Sequence, residues 1–394
     1  MQLIRIAETL QKHTTHTENS RRTRKERFDL DTCLVLMDVA KAFDRVDRVI
    51  MCYRLLKAGV KSHLLGAIAS FLMTRLQQTR VNKENSDFIE INRGLPQGGV
   101  LSLLCFLLYM NTISETTQET DPYLFVDDLS VISAASKPRK LVNSINSDFK
   151  HIYEWSLQNH MVFDSCKFKI LNIGPKRLNK HNKDMILYGD RPVRWERTAK
   201  LLGATFDIHL NFLEQIHETI KKVSGNSWRI YCNSSFQTGA NTFTLLRMLD
   251  SYVQPQLTYG SNLWIFQAFP DIRFDLKPRR PYGGAFKELS RVYSRLLSAC
   301  AAARKHTSFT AIHVRLGRLP LQYLLGFYAM CDLHSIIHER TTNTMKEHLQ
   351  ILRRNPTTWS TSIFYKPALS NIKYVLFKIY RGRSPPQYHI PGGF

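Results

Sequence analysis

Two adjacent aspartates, Asp127 and Asp128, are the side chains of this sequence best suited to chemistry. Short apolar runs at residues 124–126 and 129–132 flank them, and the β-branched and aromatic residues of these runs favour strands. The pattern predicts a tight hairpin with both aspartates at its tip. Because neighbouring negative charges repel, stability gives no reason for the pair, whereas a divalent cation binds carboxylate oxygens well. The alternative is a solvated turn, since Asp is an ordinary turn residue.

A third carboxylate, Asp38, ends the continuous apolar run of residues 33–37, which is typical of a buried central strand. An unpaired carboxylate at such a place is costly to bury, so a functional role is favoured. If this strand lies beside the Asp127–Asp128 hairpin, the three carboxylates converge. Converged carboxylates can hold two Mg²⁺ ions about 3.5–4 Å apart, the arrangement that stabilises attacking and leaving oxygens in phosphoryl transfer.

A glycine-rich turn, residues 93–99 with the sequence Arg-Gly-Leu-Pro-Gln-Gly-Gly, leads into an apolar helix at residues 100–111. Glycines let backbone N–H groups and a helix N-terminus approach a ligand closely, and the ligand is often a phosphate or a nucleotide. Many loop-to-helix junctions contain Gly and Pro, so the turn alone is also compatible with a purely structural role.

The charge of the chain predicts a polyanionic partner. Its 394 residues include 55 Lys and Arg against 32 Asp and Glu, a formal net charge of +23. Nucleic acid is the simplest partner, with membranes and acidic proteins as alternatives. The basic residues are spread along the whole chain, which suits a long charged groove better than a basic tail. The length and the 43% hydrophobic content predict a sizeable core in two or three subdomains.

The seven cysteines are scattered and include no CxxC pair, so we expect reduced core residues and neither a zinc site nor a disulfide partner. Residues 1–10 are amphipathic and do not resemble a signal peptide. The longest apolar run, residues 100–110, is shorter than the roughly 20 residues that span a bilayer. We therefore expect no membrane association and an intracellular location, in the nucleus or the cytoplasm.

Periodicity along the chain predicts the remaining elements. The predicted helices are residues 1–10, 48–58, 62–73, 100–111, 137–160, 212–231, 242–252, 285–303 and 319–338. The predicted strands are residues 33–37, 76–81, 88–91, 124–126, 129–132, 166–171 and 200–206. Residues 14–27, 269–284 and 384–394 are expected to be loops.

Five blocks in this order resemble the motifs of reverse transcriptases of non-LTR retrotransposons, which are LINE-like, and most of all the jockey type. The blocks are residues 36–44, 94–98 with 100–102, 125–128, Lys167, and Leu202–Gly203. The resemblance implies an α+β fold, a right-hand polymerase palm whose antiparallel sheet is backed by helices. It also implies the domains: 1–30 a remnant of the fingers and a basic loop, 31–210 the palm with a finger insertion, 211–310 a helical thumb, and 311–394 a helical connector and C-terminal tail.

Carried over residue by residue, the resemblance implies a role for each motif position. Two Mg²⁺ ions, with Mn²⁺ as a substitute, would be bound by Asp38, Asp127, Asp128 and the Val39 carbonyl. Phe43 would lie under the incoming sugar and exclude a 2′-hydroxyl, and Gln97 and Gly98 would line the nucleotide and template pocket. Lys167 would protonate or neutralise pyrophosphate. Leu202 and Gly203 would form the primer grip. The partners would be an RNA template, a DNA primer and dNTPs, and the thumb would follow the duplex through phosphate contacts.

Structural alternatives stand beside these roles. Phe43 is also suited to the core, Asp44 and Asp47 to helix capping, and Lys167 to a solvated strand. The residue pairs 97–98 and 202–203 are also suited to shaping a turn and to ending a strand.

The sequence departs from the family pattern in two ways. The second motif usually continues Gly-Ser-Val-Leu-x-Pro, whereas Gly99 and Leu103 stand here in place of the Ser and the Pro. Most of the fingers, an endonuclease and a ribonuclease H domain have no counterpart. After Ala301 the only acidic residues are Asp332, Glu339 and Glu347.

These departures leave three hypotheses. The first is an RNA-directed DNA polymerase domain from a truncated element. The second is a catalytically inactive, basic nucleic-acid-binding remnant. The third is a group II intron maturase or a viral RNA polymerase, which share the palm.

Overall fold

The structure, a computed structural model, describes residues 3, 5–7, 9–10, 31–73, 75–173, 185–234, 239–269, 278, 280–304 and 306–337. The chain divides into a first unit of residues 28–199 and a second unit of residues 200–394 together with 1–27. The predicted loops at 14–27 and 384–394, and most of the one at 269–284, lie outside the described residues.

A five-stranded sheet organises the first unit, in the order β11-β8-β1-β7-β6. Its strands are β1 (Asp31–Asp38), β6 (Asp121–Phe125), β7 (Asp128–Ala135), β8 (Lys169–Ile173) and β11 (Arg194–Glu196). All neighbours are antiparallel except β8 and β11. Strand β1 is central, as its apolar run predicts, because only a strand covered on both faces buries consecutive residues. The sheet therefore presents the end of β1 beside the start of β7.

Helices cover the sheet. The first unit contains α1 (Ala42–Arg45), α2 (Arg48–Lys57), α3 (Ser62–Leu72), α4 (Val100–Asn111) and α5 (Pro138–Gln158). Helix α5 begins with a proline, which suits the first turn of a helix. Its stripe of Leu141, Ile145, Phe149 and Ile152 is fully buried and shares one core with β1 and β7. This amphipathic spacing is the reason the sequence predicts the helix.

Four short strands form a hairpin between α3 and α4. Strand β2 (Arg75–Gln77) pairs with β5 (Ile89–Ile91), and β3 (Arg80–Val81) pairs with β4 (Glu84–Asn85). Hydrogen bonds between Thr79 and Ser86 join the two ladders. The hairpin predicted from the strand-like runs at residues 76–81 and 88–91 is confirmed.

The second unit is mainly helical. It opens with the hairpin of β12 (Thr198–Leu201) and β13 (Ala204–Asp207) and continues through seven α-helices in the described residues. These are α6 (Leu213–Asn233), α7 (Thr242–Met248), α8 (Gln254–Thr258), α9 (Ile265–Ala268), α10 (Gly283–Cys300), α11 (Phe309–Leu316) and α12 (Leu321–Ile337). A π-helix, Leu249–Val253, joins α7 to α8. The described residues among 1–10 are helical, as predicted.

Three sequence predictions of local structure were wrong. Residues 200–206 are two strands joined by a turn, because Leu202 and Gly203 both have positive φ (48° and 81°). Lys167 lies in a 3₁₀ turn, Ser165–Lys167, ahead of β8 rather than in a strand. The helices α9 and α11 were not predicted, because each is too short to show clear periodicity.

The antiparallel-rich sheet backed by helices, followed by a helical unit, confirms the predicted α+β class and is the architecture of a polymerase palm. Among the described residues, no helix combines the length and apolar character needed to cross a membrane.

Alkaline pH should unfold the first unit partly through Tyr188. Its ring contacts Phe149 and Phe168, with centroids 5.8 and 5.0 Å away, and this burial raises the pKa of Tyr188 to about 12. Below about pH 10 the tyrosine is protonated in both states and stability is intact. From about pH 10 to about pH 12 the unfolded chain loses the proton first, so the free energy of unfolding falls by about 1.4 kcal/mol per pH unit. Urea unfolding of wild type and Tyr188→Phe at several pH values measures this slope.

The phenylalanine variant is the control, since it keeps the ring and loses the ionisable group. Only a long contact to Ser156 Oγ, 3.4 Å, is lost with the hydroxyl. Parallel declines of both proteins above about pH 10 would contradict the assignment.

Candidate active site

The carboxylates predicted to converge lie at one end of the central sheet. Strands β1 and β7 pair so that Asp38 stands opposite Asp128. Directly opposite residues of an antiparallel pair have Cα atoms about 4.5–5.5 Å apart. Asp127 immediately precedes Asp128 in the turn that enters β7. The structure therefore brings together two strand ends that are 90 positions apart in the sequence.

A strained turn sets this register. Phe125 pairs with Asp128, so Val126 and Asp127 form a two-residue hairpin turn. Val126 has φ +57°, which is unfavourable for a β-branched residue and is usually adopted by Gly in such turns. The two aspartates are thus not both at the tip, as the sequence predicted: Asp127 is in the turn and Asp128 begins β7. Strain of this kind concentrates at functional sites, where the surrounding structure maintains it.

The three negative charges influence one another. Burial raises the pKa of Asp128, and the neighbouring charges of Asp127 and Asp38 raise it further. A carboxylate under like-charge repulsion is stabilised by a cation placed among its neighbours. This end of the sheet therefore calls for positive charge.

Lys167 supplies one positive charge. Its Nζ lies 2.7 Å from Asp38 Oδ2 and 4.0 Å from Asp164 Oδ2. The hydrogen bond to Asp38 and the charge of Asp38 raise the pKa of Lys167. The 3₁₀ turn that carries Lys167 is capped by Asp164, whose side chain accepts from Cys166 N and whose backbone N donates to Asp38 O. The predicted roles of Asp38 and Lys167 thus belong to side chains in direct contact.

No three His, Cys, Asp or Glu side chains in the described part of the chain are arranged so that they could hold a metal ion. One oxygen of Asp38 is engaged by Lys167 instead. The donor chemistry nevertheless fits a hard divalent cation, because Asp38, Asp127 and Asp128 offer only oxygen ligands and are close enough to interact electrostatically. Val39, whose carbonyl was predicted to assist, follows β1 and forms an isolated bridge with Phe163.

The glycine-rich turn is joined to the segment after β1. Gly94 N donates to Val46 O and Leu95 N donates to Phe43 O, both at 2.9 Å. Gly94 has φ +80°, and a Cβ there would lie 2.8 Å from the Cα and O atoms of Asp44. Only glycine allows this close approach. The turn is therefore placed against the residues that follow Asp38.

A buried arginine that the sequence analysis missed anchors the same turn. Arg48 is 5% exposed, and its Nε and Nη2 donate to the carbonyls of Gly94 and Arg93 at 3.2 and 2.9 Å. Burial lowers the pKa of Arg48. The available signal was its position, since Arg48 shares the buried stripe of α2 with Met51 and Leu55.

An open cleft of about 390 Å³ lies among these elements. Phe43 stacks on Phe106 with ring centroids 4.5 Å apart and remains partly exposed. Gln97 Nε2 donates to Asp44 Oδ1 at 3.0 Å. The cleft is lined by Val39, Lys41, Ala42, Phe43, Asp44, Gln97, Gly98 and Asp127. Predicted residues of the first three motifs therefore face one space that is large enough for a small ligand.

A second overlooked residue, Asp148 of α5, supports the catalytic hairpin. It is fully buried and accepts from Gln118 N, Glu119 N and Thr120 Oγ1 at 3.0, 3.1 and 2.6 Å. These residues lead directly into β6, so Asp148 fixes the start of the strand that ends in the Val126–Asp127 turn. A carboxylate within the apolar stripe of a predicted helix was the signal.

The predicted primer grip lies in the second unit. Leu202 and Gly203 form the turn between β12 and β13, and the hydroxyl of Tyr259 donates to Leu202 O. A Cβ on Gly203 would lie 3.4 Å from the Tyr259 ring. The turn is thus fixed to the helical part of its own unit.

Comparison with known proteins extends over these motifs. The family model described as "Reverse transcriptase (RNA-dependent DNA polymerase)" matches residues 3–206, which is more than half of the chain. A curated relative, the "Probable RNA-directed DNA polymerase from transposon X-element" of Drosophila melanogaster, is 21% identical over 236 residues. That match covers 58% of this chain and 25% of the relative, so the chain spans about a quarter of the relative's length.

Solved telomerase structures are also similar to the chain. The Candida tropicalis telomerase in complex with a TWJ fragment of telomeric RNA is 11% identical with a TM-score of 0.39, covering 96% of this chain and 49% of that one. The Candida albicans telomerase complex is 10% identical with a TM-score of 0.37, covering 81% and 56%.

Proposed function

Because the chain belongs to the reverse transcriptase (RNA-dependent DNA polymerase) family, we propose that it is the RNA-directed DNA polymerase domain of a LINE-like, non-LTR retrotransposon. The family match confirms the predicted reverse transcriptase, and the transposon relative supports the LINE-like type. One observation carries the catalytic proposal. Asp38 and Asp128 are paired across β1 and β7, at the end of the sheet where Asp127 reaches the cleft.

The reaction would be attack of a primer 3′-hydroxyl on the α-phosphate of a dNTP, with release of pyrophosphate. Asp38, Asp127, Asp128 and the Val39 carbonyl would hold two Mg²⁺ ions, with Mn²⁺ as a substitute. Once bound, the ions would stabilise the charge that develops on the attacking and leaving oxygens. The contribution of the chain is to keep three carboxylates at one strand end, where repulsion already favours a cation.

Phe43, Gln97 and Gly98 would position the nucleotide. The ring of Phe43 is held flat against Phe106, so it offers a rigid floor beneath a sugar and would exclude a 2′-hydroxyl by contact. Gln97 is oriented by Asp44, and Gly98, with φ +87° and nothing within 4 Å of its Cβ position, leaves room for a base pair. The joined segments keep this floor and wall at a fixed separation.

Lys167 would act on the leaving pyrophosphate. Its contact with Asp38 raises its pKa, so Nζ holds its proton at neutral pH and carries a positive charge beside the carboxylates. An ammonium there would neutralise pyrophosphate or donate the proton to it.

The partners follow from the family and the charge. We propose an RNA template and a DNA primer held by phosphate contacts, for which a net charge of +23 is suitable. The Leu202–Gly203 turn would be the primer grip. The boundaries of the palm at 31–210, the thumb at 211–310 and the connector at 311–394, and an intracellular location, remain predictions.

Primer extension by the purified chain tests the proposal. We expect dNTP incorporation on an RNA template with a DNA primer and Mg²⁺, complete loss of incorporation with EDTA, and little use of rNTPs. Use of rNTPs in preference to dNTPs would indicate a viral-type RNA polymerase. Absence of incorporation by folded protein that binds the template would reject the catalytic proposal.

A second candidate function, a catalytically inactive nucleic-acid-binding remnant, is favoured by the Lys167–Asp38 contact and by the lack of a ready metal cluster in the described residues. It requires RNA binding that weakens steeply with salt, without any incorporation. The same assay separates it from the polymerase, since any Mg²⁺-dependent extension excludes it.

A further inference from the structure

The second unit carries an exposed row of alternating arginines and aromatic rings. The guanidinium carbon of Arg229, on α6, lies 5.1 Å from the ring centroid of Tyr252. That of Arg247, on α7, lies 4.9 Å from the ring centroid of Phe243. Both distances are within the range of cation–π contact. The rings are 64% exposed at Phe243 and 44% at Tyr252, so the contacts do not bury them. We call these four residues the arginine–aromatic surface.

The π-helix is the reason that Tyr252 belongs to this surface. In an uninterrupted α-helix, position 252 would share a face with Leu245, seven residues earlier, which is buried. The wider π turn at Leu249–Val253 rotates the chain, so that Val253 is buried and Tyr252 is exposed. Single π turns within helices are frequent at functional sites. Here the π turn places a large ring in solvent where regular geometry would have buried it.

The charge around the surface is strongly positive. Between residues 219 and 269 the only acidic residue is Asp250. Arg318 engages both oxygens of Asp250, at 2.8 and 2.7 Å. The basic residues of the same stretch are Lys221, Lys222, Arg229 and Arg247. A polyanion therefore meets no free carboxylate from this stretch.

We propose that the arginine–aromatic surface binds single-stranded nucleic acid by stacking unpaired bases on Phe243 and Tyr252. Aromatic rings stack on bases of any sequence, and guanidinium groups held flat on those rings present their N–H donors to phosphates. A duplex hides the faces of its bases, so a single strand is preferred. The site makes no use of the aspartates of the sheet, so it goes beyond the polymerase reaction.

Fluorescence anisotropy with the full chain tests this proposal. The probes are a labelled uridine oligonucleotide and an RNA–DNA hybrid of the same length. In the double variant Phe243→Ala/Tyr252→Ala we expect single-strand affinity to fall about tenfold or more, and hybrid affinity by less than about twofold. Circular dichroism and the thermal midpoint check that the variant is folded.

Three controls keep the result specific. Phe309→Ala removes another exposed ring of the second unit, 52% exposed on α11, and should bind both probes as wild type does. Phe243→Tyr/Tyr252→Phe keeps both rings and should restore binding. Asp127→Asn should leave single-strand affinity unchanged, which separates this site from the proposed catalysis.

Unchanged single-strand binding by the double alanine variant would overturn the proposal, and so would equal losses for both probes. Light scattering adds a further check. If the double variant abolishes self-association instead of RNA affinity, the surface is an interface between copies of the chain.

Discussion

Primer extension falls at least about 1,000-fold when Asp127 is replaced by asparagine, a loss of about 4 kcal/mol in transition-state stabilisation. Asparagine has nearly the same shape, so the Val126–Asp127 turn and the β6–β7 register are retained. What disappears is one of the three negative charges, and with it a ligand for the proposed cations. Single-turnover incorporation on an RNA template, at saturating dNTP, measures the loss in the chemical step.

The Asp127 variant should lose activity without losing stability. Asp127 is partly exposed in a turn, and its charge is one of two that disfavour ionised Asp128. Removing it relieves repulsion, so the free energy of unfolding should be equal to or higher than that of wild type. Loss of both activity and stability would assign Asp127 a structural role.

Asp87→Asn is the matched control for this variant. It makes the same change of one charge at an exposed position before β5, away from the strand end. We expect full activity from it. If Asp127→Asn retained more than about a tenth of wild-type extension, the proposed role of the carboxylate would be wrong.

The elements that carry the site could be predicted, but their register could not. Residues 33–37 and 129–132 are long enough apolar runs to be recognised as buried strands, and both aspartate positions follow from their ends. The pairing of Asp38 with Asp128 depends on a turn closed by Val126, whose positive φ no turn propensity indicates. Tertiary packing overrides the local preference at this residue.

The place of Lys167 was missed for a different reason. Asp164, which caps the 3₁₀ turn, is a recognisable cap residue, but the following residues have the alternation of a strand. The contact of Lys167 with Asp38 spans 129 positions, so no local pattern could reveal it. Similarity to a family motif identified the lysine without giving its conformation.

Arg48 and Asp148 show what periodicity discards. Each is a charged residue on a buried face, and each is satisfied by backbone groups about 30 or more positions away. Sequence reasoning assigns charged residues to the surface, because an unpaired buried charge is costly. A charge that interrupts an otherwise apolar stripe is therefore evidence of a distant partner, and here both partners are loops that shape the site.

Gly94→Ala should lower the free energy of unfolding by about 2–5 kcal/mol. Part of the loss is the strain of placing alanine at φ +80°, and part is the clash of its Cβ with the backbone of Asp44, 2.8 Å away. Backbone cannot rotate aside as a side chain can, so the glycine turn and the segment after Asp38 must separate. Urea unfolding, compared at a common slope, measures the change. Primer extension should also decrease, because Phe43 and Gln97 lie on the two segments.

Gly59→Ala separates the two causes. Gly59 has φ +85°, almost the same backbone strain, but an added Cβ meets nothing within 4 Å. It ends α2 on the surface, so its alanine variant should lose only about 1–2 kcal/mol and keep full activity. The difference between the two variants is the free energy of the contact between Gly94 and Asp44. If both variants lost the same stability, the close approach of the second motif to the first would not be what holds the cleft together.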